Sequence, residues 1–480
     1  MDTAQVTGAL QGQDEASQKL TREIEKIWAD DKLERIGVAK KLTNILTKAK
    51  ADETGFTMVV KSPWGTGKSF FIERWCETLK KQGAFCVYFS AWEAEIQDSP
   101  AIYFLQTFFD EFKEQPELFS KLDDALAKGG LTFLSVVIAL ATIVYMPVNA
   151  VYACIAKYFY GEAAKKCARA LNKLKRDKHA FETSLPTKEA KEHLKELMQV
   201  IAESSLNGKV YIFIDELDRC KPDFAIKVLE EIKHFFSLPN LVFVLSLDFE
   251  QLEGSVKHVY GRHIDCEGYL MRFVQLFYTL PTVNQIKYAE YLLQQLSGLP
   301  FKIPSFNDQK LSPAGYFAAC AASFKSSLRD QQNIITRLKL MLTAGNILFL
   351  PTFYLLFVQQ KYPSLWQQAM LEKKIAILAP NRLNQTKDRF SLSNKIPHTE
   401  WRLHEYLIPL TSGIIELMDT PPRTSERQNK CIELEKWIKP QVARDDGTSY
   451  ECYSHIVRES NFHDLDRQAD LINLYSEGFD

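Results

Sequence analysis

The ten residues SPWGTGKSFF, Ser62 to Phe71, constrain this chain more than any other stretch. They fall one residue short of G-x-x-x-x-G-K-[ST], the loop that wraps nucleotide phosphates, because Ser62 stands where the first glycine belongs. Such a loop needs a strand before it and a helix after it. Residues 57–61 (TMVVK) predict the strand and residues 69–81 (SFFIERWCETLKK) the helix. Gly65 and Gly67 let the backbone curl with no Cβ in the way. Lys68 is the cation for the β- and γ-phosphates, Ser69 the hydroxyl for Mg²⁺, and the helix start adds its positive end. The nucleotide-binding set read from the loop is Ser62, Trp64, Gly65, Thr66, Gly67, Lys68, Ser69 and Phe70. Ser62 sits at the loop entry, where the strand is still ending, so losing glycine there is expected to matter little.

Further apolar runs predict strands at 85–90 (FCVYFS), 209–215 (KVYIFID), 241–247 (LVFVLSL) and 274–280 (VQLFYTL), with helical stretches between them. Strands alternating with helices indicate an α/β fold with a parallel, doubly wound sheet. The stretch IFIDELDRC brings Asp215 to the sheet edge, where it can hold a magnesium water shell. Glu216 follows, placed to polarise an attacking water. Glu216 and Lys68 are the catalytic candidates. The 241–247 strand ends in Ser246 and Asp248 and is expected to lie between the other two. A polar tip there would sense the γ-phosphate; the alternative is a plain turn after a core strand.

Taken as an ordered set, WGTGKS, FSAWEAE (89–95), IFIDELDRC, SLDFEQL and GYLMRFVQLFYTLP (268–281) resemble the KAP family of P-loop NTPases. The resemblance covers roughly Leu33 to Arg337. It implies an ASCE-type sheet, ATP as nucleotide, and nucleotide-dependent switching or assembly. Its bacterial branch is associated with exclusion of phage, by analogy only. The family's loop usually begins with glycine, from which Ser62 departs, and its two Walker B acids correspond here to Asp215 and Glu216. By the same resemblance Arg329 and Arg337 lie in a helical region behind the nucleotide. Arg219 and Arg272 are further candidates for an arginine finger supplied by a neighbouring subunit; for each, a surface ion pair is the plainer alternative.

The uncharged segment 129–156 is long enough for one transmembrane helix. Yet Lys68 precedes it and Asp215 follows it, and both must meet one magnesium. A single crossing would separate them, so the expectation is an apolar helical hairpin that crosses twice, dips into a membrane and returns, or does not enter it and is buried in protein. The family often carries a membrane hairpin at this place. Residues 347–358 are too short to span and read as core. The basic run 165–178 (KKCARALNKLKRDK) is a solvated or membrane-proximal helix face, or a nucleic-acid contact.

The net charge of −1 gives no support to a nucleic-acid partner. Nine scattered cysteines without C-x-x-C fit a reducing cytoplasm, and no signal peptide is read at the N-terminus. The expected organisation is a loose 1–20, an NTPase domain over 21–304 with an insert at about 125–205, and a helical region over 305–480. No N-K-x-D motif appears, which favours ATP over GTP. The reading is an ATPase switch with Mg²⁺, in a homo-oligomer or with a partner effector, in the cytoplasm and at the inner membrane if the hairpin enters it. The alternatives are a scaffold that holds ATP without turnover and a nucleic-acid motor.

Overall fold

In the computed structural model of the chain, the described residues are 17–49, 55–96, 100–114, 199, 201–203, 205–232, 238–272, 274–297, 313–344, 349–372, 375–378, 415, 425 and 429. They fall into two compact units, Met1–Pro281 and Thr282–Asp480.

The first unit is built on five parallel strands, β1 (Phe56–Lys61), β2 (Phe85–Ser90), β3 (Val210–Asp215), β4 (Leu241–Leu247) and β5 (Leu276–Thr279). Their spatial order is β2-β3-β4-β1-β5. β3 and β4 are buried along their whole length. That is why VYIFID and LVFVLSL are almost wholly apolar and not alternating: helices cover both faces of a parallel sheet. The β4 strand lies between β1 and β3, as the polar-tip argument requires. Register aligns Val60 with Ser246 and Ser90 with Asp215, so the strand ends of β1 to β4 form one edge.

The helices of this unit are α1 (17–27), α2 (Ile36–Lys48), α3 (Lys68–Lys81), α4 (Ala91–Ile96), α5 (Pro100–Glu114), α6 (Pro222–Ile232), α7 (Phe249–Tyr260) and α8 (Cys266–Leu270). On one face Trp28, Phe71 and Trp75 pack with Tyr211 and Phe213 in a single core. Trp75 meets Phe213 edge-on at 5.2 Å between centroids. Both buried indoles keep a partner: Trp28 Nε1 donates to Thr78 Oγ1 and Trp75 Nε1 to Thr43 Oγ1, each at 2.8 Å. Alternation along β2 turns Phe85 and Phe89 to the other face. There they meet Phe108 and Phe104 of α5, at 5.3 and 6.0 Å.

The helical pattern of residues 20–50 resolves into α1 and α2 with a turn between them. The Asp31 carboxylate makes that turn by accepting from Leu33 N–H and Ile36 N–H at 3.1 and 3.0 Å. The far end of α2 is tied down by Lys209, which is 4% exposed and precedes β3. Its ammonium donates to the carbonyls of Leu46, Thr47 and Ala49, each at 2.7 Å, and so satisfies groups that a helix C-terminus leaves open.

In the second unit the described residues form α9 (Gln285–Gln294), α10 (Pro313–Ser323), α11 (Leu328–Ala344), α12 (Phe349–Lys361), α13 (Pro363–Glu372) and a 3₁₀ turn at Ile375–Leu378. Phe353 to Val358 of α12 are buried, with Phe317 set against Phe353 and Phe357 at 5.2 Å each, so this apolar run is core. Pro351 falls in the first turn of α12, where no intrahelical N–H bond is lost. Among the described residues no helix is long and apolar enough to cross a membrane. The segment 129–156 and the basic run 165–178 lie outside the described residues.

Candidate functional site

The loop between β1 and α3 has its backbone set by two glycines at positive φ, Gly65 at 74° and Gly67 at 83°. A Cβ on Gly67 would also stand 3.2 Å from Leu33 Cδ1. No side chain caps α3, and its first helical bond is Phe71 N–H to Gly67 O. The amides before Phe71 therefore have no helical acceptor, the arrangement that receives an anion. Ser62 is not among the residues at positive φ, so its backbone needs no glycine. Its N–H donates to Leu247 O at 3.3 Å, and the residue is 7% exposed. Ser62 Oγ lies 2.6 Å from Thr66 Oγ1, which donates to Pro63 O at 2.7 Å. The serine thus laces the loop across its own mouth.

Lys68 is 8% exposed. Its ammonium donates to Ser62 O at 2.6 Å and Pro63 O at 3.2 Å, and sits 3.7 Å from Asp218 Oδ2. Burial pulls its pKa down, opposed by the charges of Asp218, Asp248 and Asp215. Ser69 is the half-buried second residue of α3, and Phe70 carries the Arg74 guanidinium 3.5 Å over its ring. Trp64 is 47% exposed; its N–H donates to Asp248 Oδ2 at 3.1 Å and its indole to Asp218 Oδ2 at 2.5 Å.

At the end of β3, Asp215 is 1% exposed. Its Oδ1 accepts from Glu216 N–H at 2.9 Å and its Oδ2 from Tyr88 OH at 3.2 Å. Burial and the Asp215 charge push the Tyr88 hydroxyl far up, so it stays a donor. Glu216 adopts the left-handed region at φ 63° and ψ 17°. Its Oε2 accepts from Ser90 Oγ at 3.0 Å and its Oε1 pairs with Arg219 Nη1 at 2.7 Å. Ser246 is fully buried, and its hydroxyl has no hydrogen-bond partner. Asp248 caps α7 through Glu250 N–H at 3.2 Å while holding the loop at Trp64.

The predicted residues from Ser62 to Phe70, with Asp215, Glu216, Arg219, Ser246 and Asp248, therefore gather at one sheet edge. Arg272 lies on the exposed turn after α8. Arg329 is exposed on α11, and Arg337 donates to Gln359 at 3.3 Å; both belong to the second unit. The sequence reading missed Asp218, Ser90, Tyr88 and Arg35. Arg35 is 2% exposed and donates to Thr66 O at 3.0 Å, with its Nη1 buried and unpartnered. Asp218 and Ser90 stand within stretches already quoted for the family, IFIDELDRC and FSAWEAE. That proximity was the available signal.

The site fits a bound phosphate chain on three counts: the uncapped helix start, the glycine cradle against Leu33, and the orphan Ser246 hydroxyl on the same edge. Sheet order and loop together define the class, a P-loop nucleotide-binding domain. A model of the KAP family P-loop domain matches residues 35–344, well over half of the chain. The chain belongs to the KAP family of P-loop NTPases. No curated protein matches it. Among the described residues no cluster of three or more His, Cys, Asp or Glu could hold a metal by itself.

Proposed function

We propose that this chain binds ATP with Mg²⁺ and hydrolyses it as a nucleotide-driven switch. The observation that carries this reading is the backbone of Glu216. A non-glycine residue in the left-handed region costs on the order of 1 kcal/mol. Such strain is concentrated at functional sites. Here it sets a second carboxylate beside Asp215, at the edge where Lys68 lies. Lys68 and the uncapped amides of α3 would hold the phosphates. Ser69 and Asp215 would hold Mg²⁺, which supplies positive charge at the phosphate oxygens. Glu216 would take the proton of the attacking water, and the Ser246 hydroxyl would donate to a phosphate oxygen. Absence of an N-K-x-D motif favours ATP over GTP.

A scaffold that retains ATP without turnover is the second reading. One observation favours it: both Glu216 carboxylate oxygens are engaged, one by Ser90 and one by Arg219. Steady-state ATP hydrolysis by wild type, Lys68→Ala and Glu216→Gln, with bound nucleotide assayed in each, separates the two. The switch reading expects turnover in wild type and ATP retained without turnover in Glu216→Gln. Bound ATP with equal, negligible turnover in both proteins selects the scaffold. No binding by wild type ends both. Oligomer formation, a partner effector, membrane association through 129–156 and a role in defence against phage remain parts of the proposal that rest on the family resemblance and the sequence.

A further inference from the structure

Asp218 is a buried acid without a role in the proposed hydrolysis. Its side chain is 2% exposed. A single atom, Oδ2, takes the Trp64 indole N–H at 2.5 Å and the Asp248 backbone N–H at 2.9 Å, and faces the Lys68 ammonium at 3.7 Å. Those donors come from the phosphate loop, the end of β4 and the start of α3. Asp218 itself sits in the 3₁₀ turn directly after Glu216. One carboxylate oxygen thus fixes three segments of the site against the turn that carries the proposed base. Charged acceptors form the stronger hydrogen bonds, and a buried one stripped of its donors is costly, so losing Asp218 would loosen the three segments that it holds.

We propose that Asp218 is a positioning residue for nucleotide binding, holding Lys68 and the Trp64 segment of the loop in phosphate-ready register with the Glu216 turn. This rests on the reading of the edge as a nucleotide site. Asp218 acts through Lys68 and Trp64 and touches no reacting atom. Its loss is therefore felt in KM and in nucleotide affinity, with kcat changed far less, because Glu216 keeps its own contacts to Ser90 and Arg219.

The test uses the full chain. ATP binding and steady-state kinetics are measured for wild type, Asp218→Asn, Asp218→Ala and Trp64→Phe, with thermal unfolding of each. Asp218→Asn keeps the shape and one acceptor oxygen and loses the charge facing Lys68. Its KM is expected to rise about tenfold. Asp218→Ala is expected to rise further, with kcat within about threefold of wild type in both. Trp64→Phe keeps an aromatic ring but loses the indole N–H to Asp218 together with the second ring; its KM is expected to rise several-fold, with kcat within about threefold of wild type. A wild-type KM in Asp218→Asn, or a fall confined to kcat, overturns the proposal. If the Asp218 variants do not fold, Trp64→Phe decides: a wild-type KM there breaks the link between the loop and Asp218. Failure of wild type to bind ATP is a different result, and it removes the nucleotide reading itself.

Discussion

Replacing Ser62 by glycine would restore the consensus loop, and the structure says that the restored loop is the worse one. Ser62 has no left-handed φ for glycine to relieve. Its buried hydroxyl meets Thr66 Oγ1 at 2.6 Å, and Thr66 passes the chain on to Pro63 O. Removing that hydrogen bond costs about 1 kcal/mol. The added backbone freedom of glycine in the unfolded chain costs about 0.5–1 kcal/mol more. The sum, about 1.5–2 kcal/mol, lowers Tm by roughly 3–8 °C in a domain of this size. Ser62→Ala, which removes the hydroxyl and leaves the backbone term, should show about half of this. The assay is thermal unfolding of the three proteins beside calorimetric ATP affinity, which is expected to be no tighter in Ser62→Gly than in wild type. A higher Tm or a tighter Kd in Ser62→Gly would refute the reasoning and make Ser62 the mark of a decaying site.

Lys209→Met leaves three carbonyls at the end of α2 without their donor, and urea unfolding should show a loss of about 2–3 kcal/mol. Arg219 is engaged by Glu216 in its own chain; mixing Arg219→Ala with Lys68→Ala protein should therefore restore no turnover, whereas recovered activity would make Arg219 a finger acting across subunits. Burial, helped by Glu95, pushes the Cys220 thiol from the usual 9.0 to about 12. Native protein at pH 8 should leave Cys220 unalkylated by iodoacetamide. Because the folded-state value is raised, its contribution to stability is complete below pH 9 and fades as the pH climbs toward 12.

The sheet was legible because parallel strands buried on both faces must be apolar throughout. Residues 85–90 and 241–247 read as strands at the bounds that the structure gives them. β5 is half-exposed and shorter than its apolar run, since an edge strand carries a weaker demand for burial. Most of the residues that the structure gathers at this edge were legible because the loop and the Asp215–Glu216 pair are compact in sequence. Its cross-braces were not. Trp64 and Asp218 are 154 positions apart, Tyr88 and Asp215 127, Ser90 and Glu216 126. Only the order in which strands lie side by side brings such residues together, and spacing along the chain does not encode it. The insert reading gains one constraint from the same order: β2 pairs with β3 along its length, so the chain that leaves after α5 returns to the same sheet.

The charged groups at this edge already have internal partners. Lys68 leans on Ser62 and Pro63, Glu216 on Ser90 and Arg219, Asp248 on the start of α7 and on Trp64, Asp218 on Trp64 and the amide of Asp248. A phosphate chain that recruits Lys68 must draw the ammonium from two carbonyls of the loop itself. If Glu216 is the base, as proposed, it would have to free an oxygen held by Ser90 or Arg219. Nucleotide binding here is therefore an exchange of partners and not an addition to open valences. Only differential affinity between two arrangements can move such an equilibrium. With Asp218 set between the loop and the turn after β3, the exchange at Lys68 would be felt in that turn, while the Glu216 carboxylate keeps its contacts to Ser90 and Arg219. A site meant only to hold ATP has no use for that coupling, which is the physical reason to prefer the switch over the scaffold.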